Sequence, residues 1–351
     1  MKYQEPASLP MTATFRSRLN AILESGIYTN GPFVAYFEKE YKSTFQLKGE
    51  CVAVNGCQSG LMLLLTALDV NRCLVPDFTF SATANAAHWS CRSMVTGDCD
   101  LKTFNLKPKL PGDVDGVIAT HVFGNPCECD RWAELTTREH TPLLYDAAHA
   151  HGATFKGKPI GDFGTASVFS LSPTKQVTAA EGGMIVTQDK SLADRLRILR
   201  NYGTELHYHQ KTPGLNARMS EFHAIVGLES LSRFWPNHRH RLDLVERYLG
   251  FLDCVETQKV TPNATHAWKD FAVLLGLNRD KVQAALASAG IESKTYFRPV
   301  SDLECYRESL HSQKNSSQLY QSILQLPLHG NMSLEDVQRV CEIVKGVKNG
   351  S

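Results

Sequence analysis

Short apolar segments alternate with segments of helical pattern between about residues 50 and 190, and this alternation constrains the fold more than any other feature of the sequence. Strands that alternate with helices predict an α/β fold, with a mostly parallel sheet and helices on both of its faces. The candidate strands are Cys51–Val54, Cys73–Val75, Ser93–Val95, Val117–Val122, Pro142–Tyr145, Ser167–Leu171 and Met184–Thr187. Ligands of such sheets bind at the carboxyl ends of the strands, so functional residues are expected there.

The segment Ser59–Leu68 is apolar on nearly every face, which is typical of a buried helix. Beyond the sheet region, the pattern predicts further elements at Ser220–Tyr248 (a helical segment interrupted by Pro236), Phe271–Leu275, Lys281–Ala289 and after Ser333, where Ser-Leu-Glu-Asp is an N-cap pattern. We therefore expect a large domain over residues 1–240 and a smaller α+β domain over residues 241–351.

The composition is that of a globular protein, with 42% hydrophobic residues and a net charge of +1 in 351 residues. A net charge this small does not indicate nucleic acid or an acidic membrane as a partner. The chain has neither an apolar run long enough to span a membrane nor the apolar N-terminal stretch of a signal peptide. Its ten cysteines show no framework spacing, so we expect reduced thiols in a cytoplasmic protein and predict no metal site.

Three features follow predicted strands. The turn Gly56-Cys57-Gln58 leads from a strand into the buried helix, and the free N–H groups of such a helix N-terminus suit a phosphate. Asp146 and Lys175 each come just after a strand. Taken singly, the turn is also compatible with an ordinary strand–helix connection, Asp146 with a helix cap and Lys175 with a solvated loop residue.

Considered together, the three features meet the requirements of pyridoxal 5′-phosphate (PLP) chemistry. The helix N-terminus holds the phosphate in this interpretation, and Asp146 keeps the pyridine nitrogen protonated so that the ring accepts electrons. Lys175 forms the Schiff base with the aldehyde and transfers protons, which a partly desolvated lysine of lowered pKa does well.

The chain resembles the DegT/StrS family of sugar aminotransferases over nearly its whole length. The matching motifs are, in order, TNGP (Thr29–Pro32), VPDFTFSATANA (Val75–Ala86), HVFGNP (His121–Pro126), DAAHAHGA, FSLSPTK, EGG, RNYG (Arg200–Gly203), GLNARMSE (Gly214–Glu221) and LPLHGNMSLEDV. The resemblance implies a fold type I PLP-dependent aminotransferase, similar to aspartate aminotransferase, that works as a homodimer with active sites shared between subunits.

Residue by residue, the resemblance assigns Lys175 as the Schiff-base lysine and Asp146 as the partner of the pyridinium nitrogen. The other implied cofactor contacts are Gly56, Cys57 and Gln58 (backbone amides to phosphate), Ser170 (hydroxyl to phosphate), Phe80 and Ala148 (the two ring faces), His149 (near the ring hydroxyl) and Asn216 (to phosphate, from the neighbouring subunit). Arg218, also from the neighbouring subunit, is implied at the site entrance.

The sequence departs from the family pattern at two places. The family commonly has Ser-Gly-Thr where this chain has Gly56-Cys57-Gln58, so a hydroxyl contact to phosphate is lost or replaced by an amide. Ser172 stands where the family has an aromatic residue or histidine. Neither change removes a group that the chemistry requires.

The motif combination is most similar to the branch of the family that acts on nucleotide-linked 4-keto-6-deoxy sugars. It implies a sugar nucleotide such as dTDP-4-keto-6-deoxy-D-glucose as substrate and L-glutamate as amino donor, and the sequence does not distinguish dTDP from GDP or UDP. The expected substrate contacts are Thr29, Asn30, His207, His209, Arg218 and Arg298, the last as a diphosphate partner or, equally, as a solvated side chain. Amination at the third sugar carbon or of a cyclitol ketone is the alternative. A non-catalytic PLP- or sugar-binding protein would have no need of Lys175.

Overall fold

The computed structural model describes residues 1–5, 9–205, 209–210, 212–253 and 255–349. The strands are β1 Glu50–Val54, β2 Arg72–Pro76, β3 Ser93–Gly97, β4 Gly116–Thr120, β5 Leu143–Asp146, β6 Thr154–Phe155, β7 Lys158–Pro159, β8 Ala166–Ser170, β9 Gly183–Thr187, β10 Glu256–Thr257, β11 Ala264–Thr265, β12 Phe271–Leu274 and β13 Ile323–Leu326. The helices are α1 Ala13–Ser25, α2 Pro32–Thr44, α3 Cys57–Ala67, α4 Ser81–Ser90, α5 Cys129–Arg138, α6 Lys190–Leu199, α7 Glu221–Leu231, α8 Phe234–Phe251, α9 Arg279–Ser288, α10 Lys314–Ser322 and α11 Leu334–Asn349.

A seven-stranded sheet organises the described part of the chain before α7, in the order β1-β9-β8-β5-β4-β2-β3. Strand β9 is antiparallel to both of its neighbours, whereas the pairings among β8, β5, β4, β2 and β3 are parallel. The predicted α/β fold with a mostly parallel sheet is therefore confirmed. Since β1 and β8 are both antiparallel to β9, they point the same way, and the carboxyl ends of β1, β5 and β8 share one edge of the sheet.

Helix α3 is the buried helix that the apolar pattern predicts, and it begins two residues earlier than expected. The long helical segment breaks at Ser232 and Arg233, between α7 and α8, and not at Pro236. Pro236 lies in the first turn of α8, where a missing N–H costs no helical hydrogen bond.

The C-terminal part of the chain has its own apolar core, between α8, α9, α11 and the antiparallel sheet β10-β12-β13. Helix α11 begins as its N-cap pattern predicts: the Ser333 hydroxyl accepts a hydrogen bond from Asp336 N, and the Asp336 carboxylate accepts one from Ser333 N. The predicted domain boundary at residue 240 falls within α8, and the division into two domains stays a prediction. Within the described ranges, no helix is both long and apolar enough to cross a membrane.

Glu221, the last residue of the GLNARMSE motif, holds the start of α2 in place. Its buried carboxylate accepts hydrogen bonds from the backbone N–H groups of Gly31, Phe33 and Val34, at 3.0, 2.8 and 2.9 Å. These are the N–H groups that a helix N-terminus leaves without partners, and they stabilise a negative charge.

We expect Glu221→Gln to lower the free energy of unfolding by about 1.5–3 kcal/mol, because an uncharged amide accepts these bonds less strongly. Urea unfolding at one fixed protein concentration measures the change, with Glu139→Gln at the exposed end of α5 as the control. Equal loss in the two variants would contradict the capping role of Glu221.

Candidate active site

The shared edge of the sheet brings together the residues that the sequence places after strands. Asp146 is the last residue of β5 and Ser170 the last of β8, while β1 leads through Asn55 and Gly56 into α3. Parallel strands end side by side, so features far apart in sequence meet here.

The N-terminus of α3 faces this edge. Gly56 is its N-cap, Cys57 and Gln58 are its first helical residues, and the first N–H to bond back within the helix is that of Gly60, to Gly56 O at 3.0 Å. A Cβ added to Gly183 would lie 2.8 Å from the Gly56 carbonyl group, so this glycine lets β9 approach the helix start. The N–H groups of Cys57 and Gln58 remain available to an anion.

Gly183 of β9 lies between the end of β1 and Ser170, the last residue of β8. The register pairs Val54 with Gly183 and Gly183 with Ser170, which places β1 and β8 two strand spacings apart, roughly 10 Å. The Ser170 hydroxyl donates to Ser172 Oγ at 3.3 Å. Ser170 therefore ends its strand at the same edge of the sheet as the start of α3.

Asp146 is a buried carboxylate that the protein holds with hydrogen bonds. Its Oδ2 accepts from the Thr83 hydroxyl at 2.7 Å and its Oδ1 accepts from Ala148 N at 3.0 Å. Burial raises the pKa of Asp146 above its usual value, and the bonds from Thr83 and Ala148 and the charge of Lys175 oppose this rise in part. These contacts favour the ionised carboxylate, which is the form that stabilises a protonated pyridine nitrogen.

A chain of threonine hydroxyls leads to Asp146. Thr79 Oγ1 lies 3.0 Å from the hydroxyls of both Thr83 and Thr120, and all three side chains are buried. Because a carboxylate only accepts, Thr83 donates to Asp146, Thr79 donates to Thr83, and Thr120 donates to Thr79. Sequence patterns assign no role to these threonines, although Thr79 and Thr83 lie within the VPDFTFSATANA motif.

Thr83→Val should reduce kcat/KM by roughly 10- to 100-fold, the effect of losing one hydrogen bond to a charged group. Without that bond the pKa of Asp146 rises further, so the acidic limb of the kcat/KM profile should move to higher pH. Thr83→Ser keeps the hydroxyl and is the control. If the acidic limb of the profile does not shift in Thr83→Val, Thr83 contributes packing and its hydrogen bond does not control the pKa of Asp146.

Lys175 lies in the turn that follows β8, and its backbone N–H donates to Ser172 O at 3.0 Å. Burial lowers the pKa of its ammonium group, while the nearby charges of Asp270, Cys57 and Asp146 raise it. A desolvated lysine of lowered pKa is partly neutral and therefore nucleophilic.

A second buried carboxylate, Asp270, is a member of the site that sequence patterns do not predict. Its Oδ1 accepts from the Tyr3 hydroxyl at 2.6 Å and lies 3.3 Å from Lys269 Nζ, and its Oδ2 lies 3.8 Å from His149 Nδ1. Burial alone would raise the pKa of Asp270, but the charge of Lys269 and the hydrogen bond from Tyr3 hold it below its usual value. Burial lowers the pKa of Lys269 to about 8. No local pattern around residue 270 distinguishes this aspartate from an exposed one.

Aromatic rings surround His149, the residue expected near the ring hydroxyl. It stacks with Phe123 and Phe297, with centroids 6.2 and 6.1 Å away. Phe80, expected on one face of the cofactor, is 61% exposed and lies 6.3 Å from Phe297. Arg298 follows Phe297 and is exposed, so it borders the site without a fixed partner in the described structure.

The other predicted substrate residues form a separate group beside the end of β1. Thr29 Oγ1 and Asn30 N donate to Met219 O, and Arg218 donates to Asn216 Oδ1 at 3.3 Å. The Asn55 side chain donates to the Asn216 carbonyl in the same chain. This group therefore adjoins the α3 N-terminus, and a contribution of Asn216 and Arg218 to a partner's site stays a prediction.

The loop that is expected to orient the sugar is described only in part. His209 O accepts a hydrogen bond from Glu205 N at 3.1 Å, and the role of the His209 side chain stays a prediction. His207 lies outside the described residues.

The residues at the sheet edge fit PLP. Free N–H groups of α3 and the Ser170 hydroxyl suit the phosphate, because both donate hydrogen bonds to an anion. The buried and hydrogen-bonded Asp146 suits the pyridinium nitrogen, and the half-buried amine of Lys175, whose pKa is lowered, suits the aldehyde. An anion cradle, a buried carboxylate and a desolvated lysine therefore lie together at one edge.

Comparisons with known proteins identify the same chemistry. The sequence profile of the DegT/DnrJ/EryC1/StrS aminotransferase family matches residues 10–345. The spore coat polysaccharide biosynthesis protein SpsC of Bacillus subtilis is 30% identical over 380 residues, covering 99% of this chain and 97% of that protein. The dTDP-3-amino-3,6-dideoxy-alpha-D-galactopyranose transaminase of Aneurinibacillus thermoaerophilus is 30% identical, with 93% of each covered. DesI, solved in the presence of its TDP-sugar product, superposes with a TM-score of 0.91 at 29% identity, covering 99% of this chain and 92% of DesI.

Proposed function

This chain belongs to the DegT/DnrJ/EryC1/StrS aminotransferase family, and we propose that it transfers the amino group of L-glutamate to dTDP-4-keto-6-deoxy-D-glucose, giving the 4-amino-4,6-dideoxy sugar nucleotide. It is a nucleotide-sugar aminotransferase, and PLP is its cofactor. The observation that supports the aminotransferase chemistry of this proposal is the meeting of buried Asp146 and desolvated Lys175 beside the N-terminus of α3.

Bound PLP supplies an aldehyde carbon and an electron-accepting ring. Residues of the chain have separate roles in the reaction. Lys175 Nζ would take the proton from the α-carbon of the amino acid and return it to the former aldehyde carbon of the cofactor, and Asp146 would hold its negative charge beside the ring nitrogen. The α3 N–H groups and Ser170 bind the phosphate and thereby hold the ring beside Lys175.

Thymidine diphosphate is supported as the nucleotide because the names of the Aneurinibacillus relative and of the DesI structure both contain it. The position of the ketone is supported only by the motif combination. A 3-keto sugar is the second candidate, since the Aneurinibacillus relative is named for a 3-amino sugar.

Incubation of the pyridoxamine phosphate (PMP) form with a panel of ketones tests the proposal. The panel contains dTDP-, GDP- and UDP-linked 4-keto-6-deoxy sugars, a dTDP-linked 3-keto sugar and a cyclitol ketone, and the return of PLP absorbance is followed. We expect the dTDP-linked 4-keto sugar to react fastest, and the Lys175→Ala protein, as control, not to react. If only the 3-keto sugar or the cyclitol ketone restores PLP, amination at the fourth carbon is wrong.

We also propose a homodimer in which Asn216 and Arg218 reach the partner's site. Mixing inactive Lys175→Ala with inactive Arg218→Ala protein should then restore activity, up to roughly a quarter of wild type for random two-fold dimers. A mixture of Lys175→Ala with Asp146→Asn, two changes in the same subunit's share of the site, is the control and should stay inactive. No recovery after proven subunit exchange would mean that each site is built from one chain.

A further inference from the structure

Strand β1 lies at one end of the seven-stranded sheet, and β9 is its only partner strand among the described residues. In a strand at the edge of a sheet, every second residue directs its N–H and C=O groups away from the partner strand, and these groups need other partners when they are buried. In β1 they belong to Cys51 and Ala53. Side chains from α2 and from α6 and its C-cap bind them.

Glu38 and Arg200 form an ion pair that binds both backbone groups of Ala53. Glu38 Oε1 accepts hydrogen bonds from Ala53 N at 2.8 Å and from Arg200 Nη1 at 2.6 Å, and the same Nη1 donates to Ala53 O at 2.6 Å. The side chains of Arg200 and Glu38 are only 7% and 13% exposed. Removal of either partner would therefore leave the other charge largely buried without a counterion, which is strongly unfavourable.

Arg200 also joins this edge of the sheet to the GLNARMSE segment. Its backbone C=O accepts a hydrogen bond from Ala217 N at 2.9 Å, and the C=O of Ala217 accepts one from Asn55 N at 2.9 Å. The segment thereby binds the chain just beyond Val54, the last residue of β1. Arg200 is the first residue of the RNYG motif, to which the proposed reaction assigns no contact. Its contacts connect this motif to the end of β1.

The residue that the ion pair binds lies close to the candidate phosphate site. Ala53 comes three residues before Gly56, the N-cap of α3, and the available N–H groups of Cys57 and Gln58 follow directly. The place of a helix N-terminus depends on the strand that leads into it, and hydrogen bonds weaken steeply when distance or angle departs from the optimum. A charged pair that fixes the end of β1 therefore also fixes the donors that face an anion.

We infer that Glu38 and Arg200 are a positioning pair for the cofactor phosphate: they hold the end of β1, and with it the N–H groups of α3, in the place where these groups bind the phosphate. Neither side chain needs to touch the cofactor. The inference rests on the proposed placement of the phosphate at α3, and it is independent of the ketone that the enzyme aminates.

Arg200→Lys tests the inference, because it keeps the charge but loses the planar group that contacts Glu38 and Ala53 together. Binding of PLP and of pyridoxal, which lacks the phosphate, to protein stripped of its cofactor is measured by visible absorbance. Affinity for PLP should fall by roughly 10- to 100-fold, the effect of one hydrogen bond to a charged group, whereas affinity for pyridoxal should not change. Glu38→Gln, which removes the other charge of the pair, should give the same result. Circular dichroism verifies that both variants are folded.

Arg197→Lys is the matched control. Arg197 lies on α6 and donates to Cys51 O at 3.3 Å, two residues further from α3 along the same edge of β1. This variant should change neither affinity. An equal loss for PLP and pyridoxal in Arg200→Lys would overturn the inference, because it would show a general effect on the fold and none on the phosphate in particular.

Ser170→Ala tests the placement of the phosphate separately and should weaken the binding of PLP but not that of pyridoxal. If it does so while folded Arg200→Lys and Glu38→Gln bind PLP as the wild type does, the positioning role is wrong and the placement of the phosphate stands. If none of the three variants distinguishes PLP from pyridoxal, the placement is wrong and the inference fails with it. No ketone is present in these measurements, so a failed ketone panel would leave their result intact.

Discussion

Lys175→Ala should abolish transamination, with a loss of at least about 10⁴-fold in kcat. The residue carries two tasks, covalent attachment of the cofactor and proton transfer, and positioned proton transfer alone contributes roughly 10²–10⁴-fold. The visible absorbance of the bound cofactor should vanish or move in the same variant, because the link to the amine is gone. Steady-state kinetics and an absorbance spectrum of PLP-loaded protein measure the two effects.

Lys158→Ala, at an exposed position on β7, is the matched control and should retain both activity and spectrum. Retention of the visible band in Lys175→Ala, with activity within tenfold of wild type, would show that another lysine carries the cofactor.

Asp146→Asn should leave the cofactor bound and lower kcat by about 10²–10⁴-fold. An amide has nearly the shape of the carboxylate and its oxygen can still accept one of the hydrogen bonds from Thr83 and Ala148, so the site should keep its form. It carries no charge, however, and a pyridine nitrogen without an anionic partner is not kept protonated. The ring then accepts electrons poorly, and proton removal by Lys175 slows.

Single-turnover rates with L-glutamate and the cofactor content of the purified protein separate the two parts of this prediction. Asp194→Asn changes an exposed aspartate on α6 that pairs with Arg197, and it serves as the control. If Asp146→Asn lowers kcat only a few-fold while the protein keeps its full cofactor content, Asp146 is not the partner of the pyridine nitrogen.

The centre of this site is predictable from sequence because its residues occupy a recognisable place in the chain. Asp146, Lys175 and the Gly56 turn all follow apolar strands of a mostly parallel sheet, and such strands end at one edge. The periodicity of the apolar segments is therefore enough to predict that these three features meet.

Other parts of the site could not be predicted, because contacts between distant segments create them. Thr83 acts on Asp146 only because α4 and β5 meet at the sheet edge. Asp270 gains its role from Tyr3, at the N-terminus of the chain, and from His149, more than a hundred residues before it. Neither contact leaves a local signal in the sequence.

The local sequence pattern also does not predict features of the secondary structure that depend on chain direction or tertiary packing. The strand predicted at Val117–Val122 ends at Thr120, since Val122–Gly124 forms a short 3₁₀ turn. Strand β9 runs antiparallel to its neighbours, which its apolar composition does not reveal. Helices α1, α2, α6 and α10 lie outside the segments for which the sequence predicts an element.

Reduction of the Schiff base between the cofactor and its lysine makes the bond permanent, so that the attached residue can be identified as Lys175 or as another lysine. PLP-loaded protein is treated with sodium borohydride, digested, and mapped by mass spectrometry. Lys269 is the natural competitor, since it is buried and burial lowers its pKa to about 8. We expect one cofactor per chain on the peptide that contains Lys175, whereas a label on Lys269 or any other lysine, with Lys175 unmodified, would contradict the assignment of Lys175.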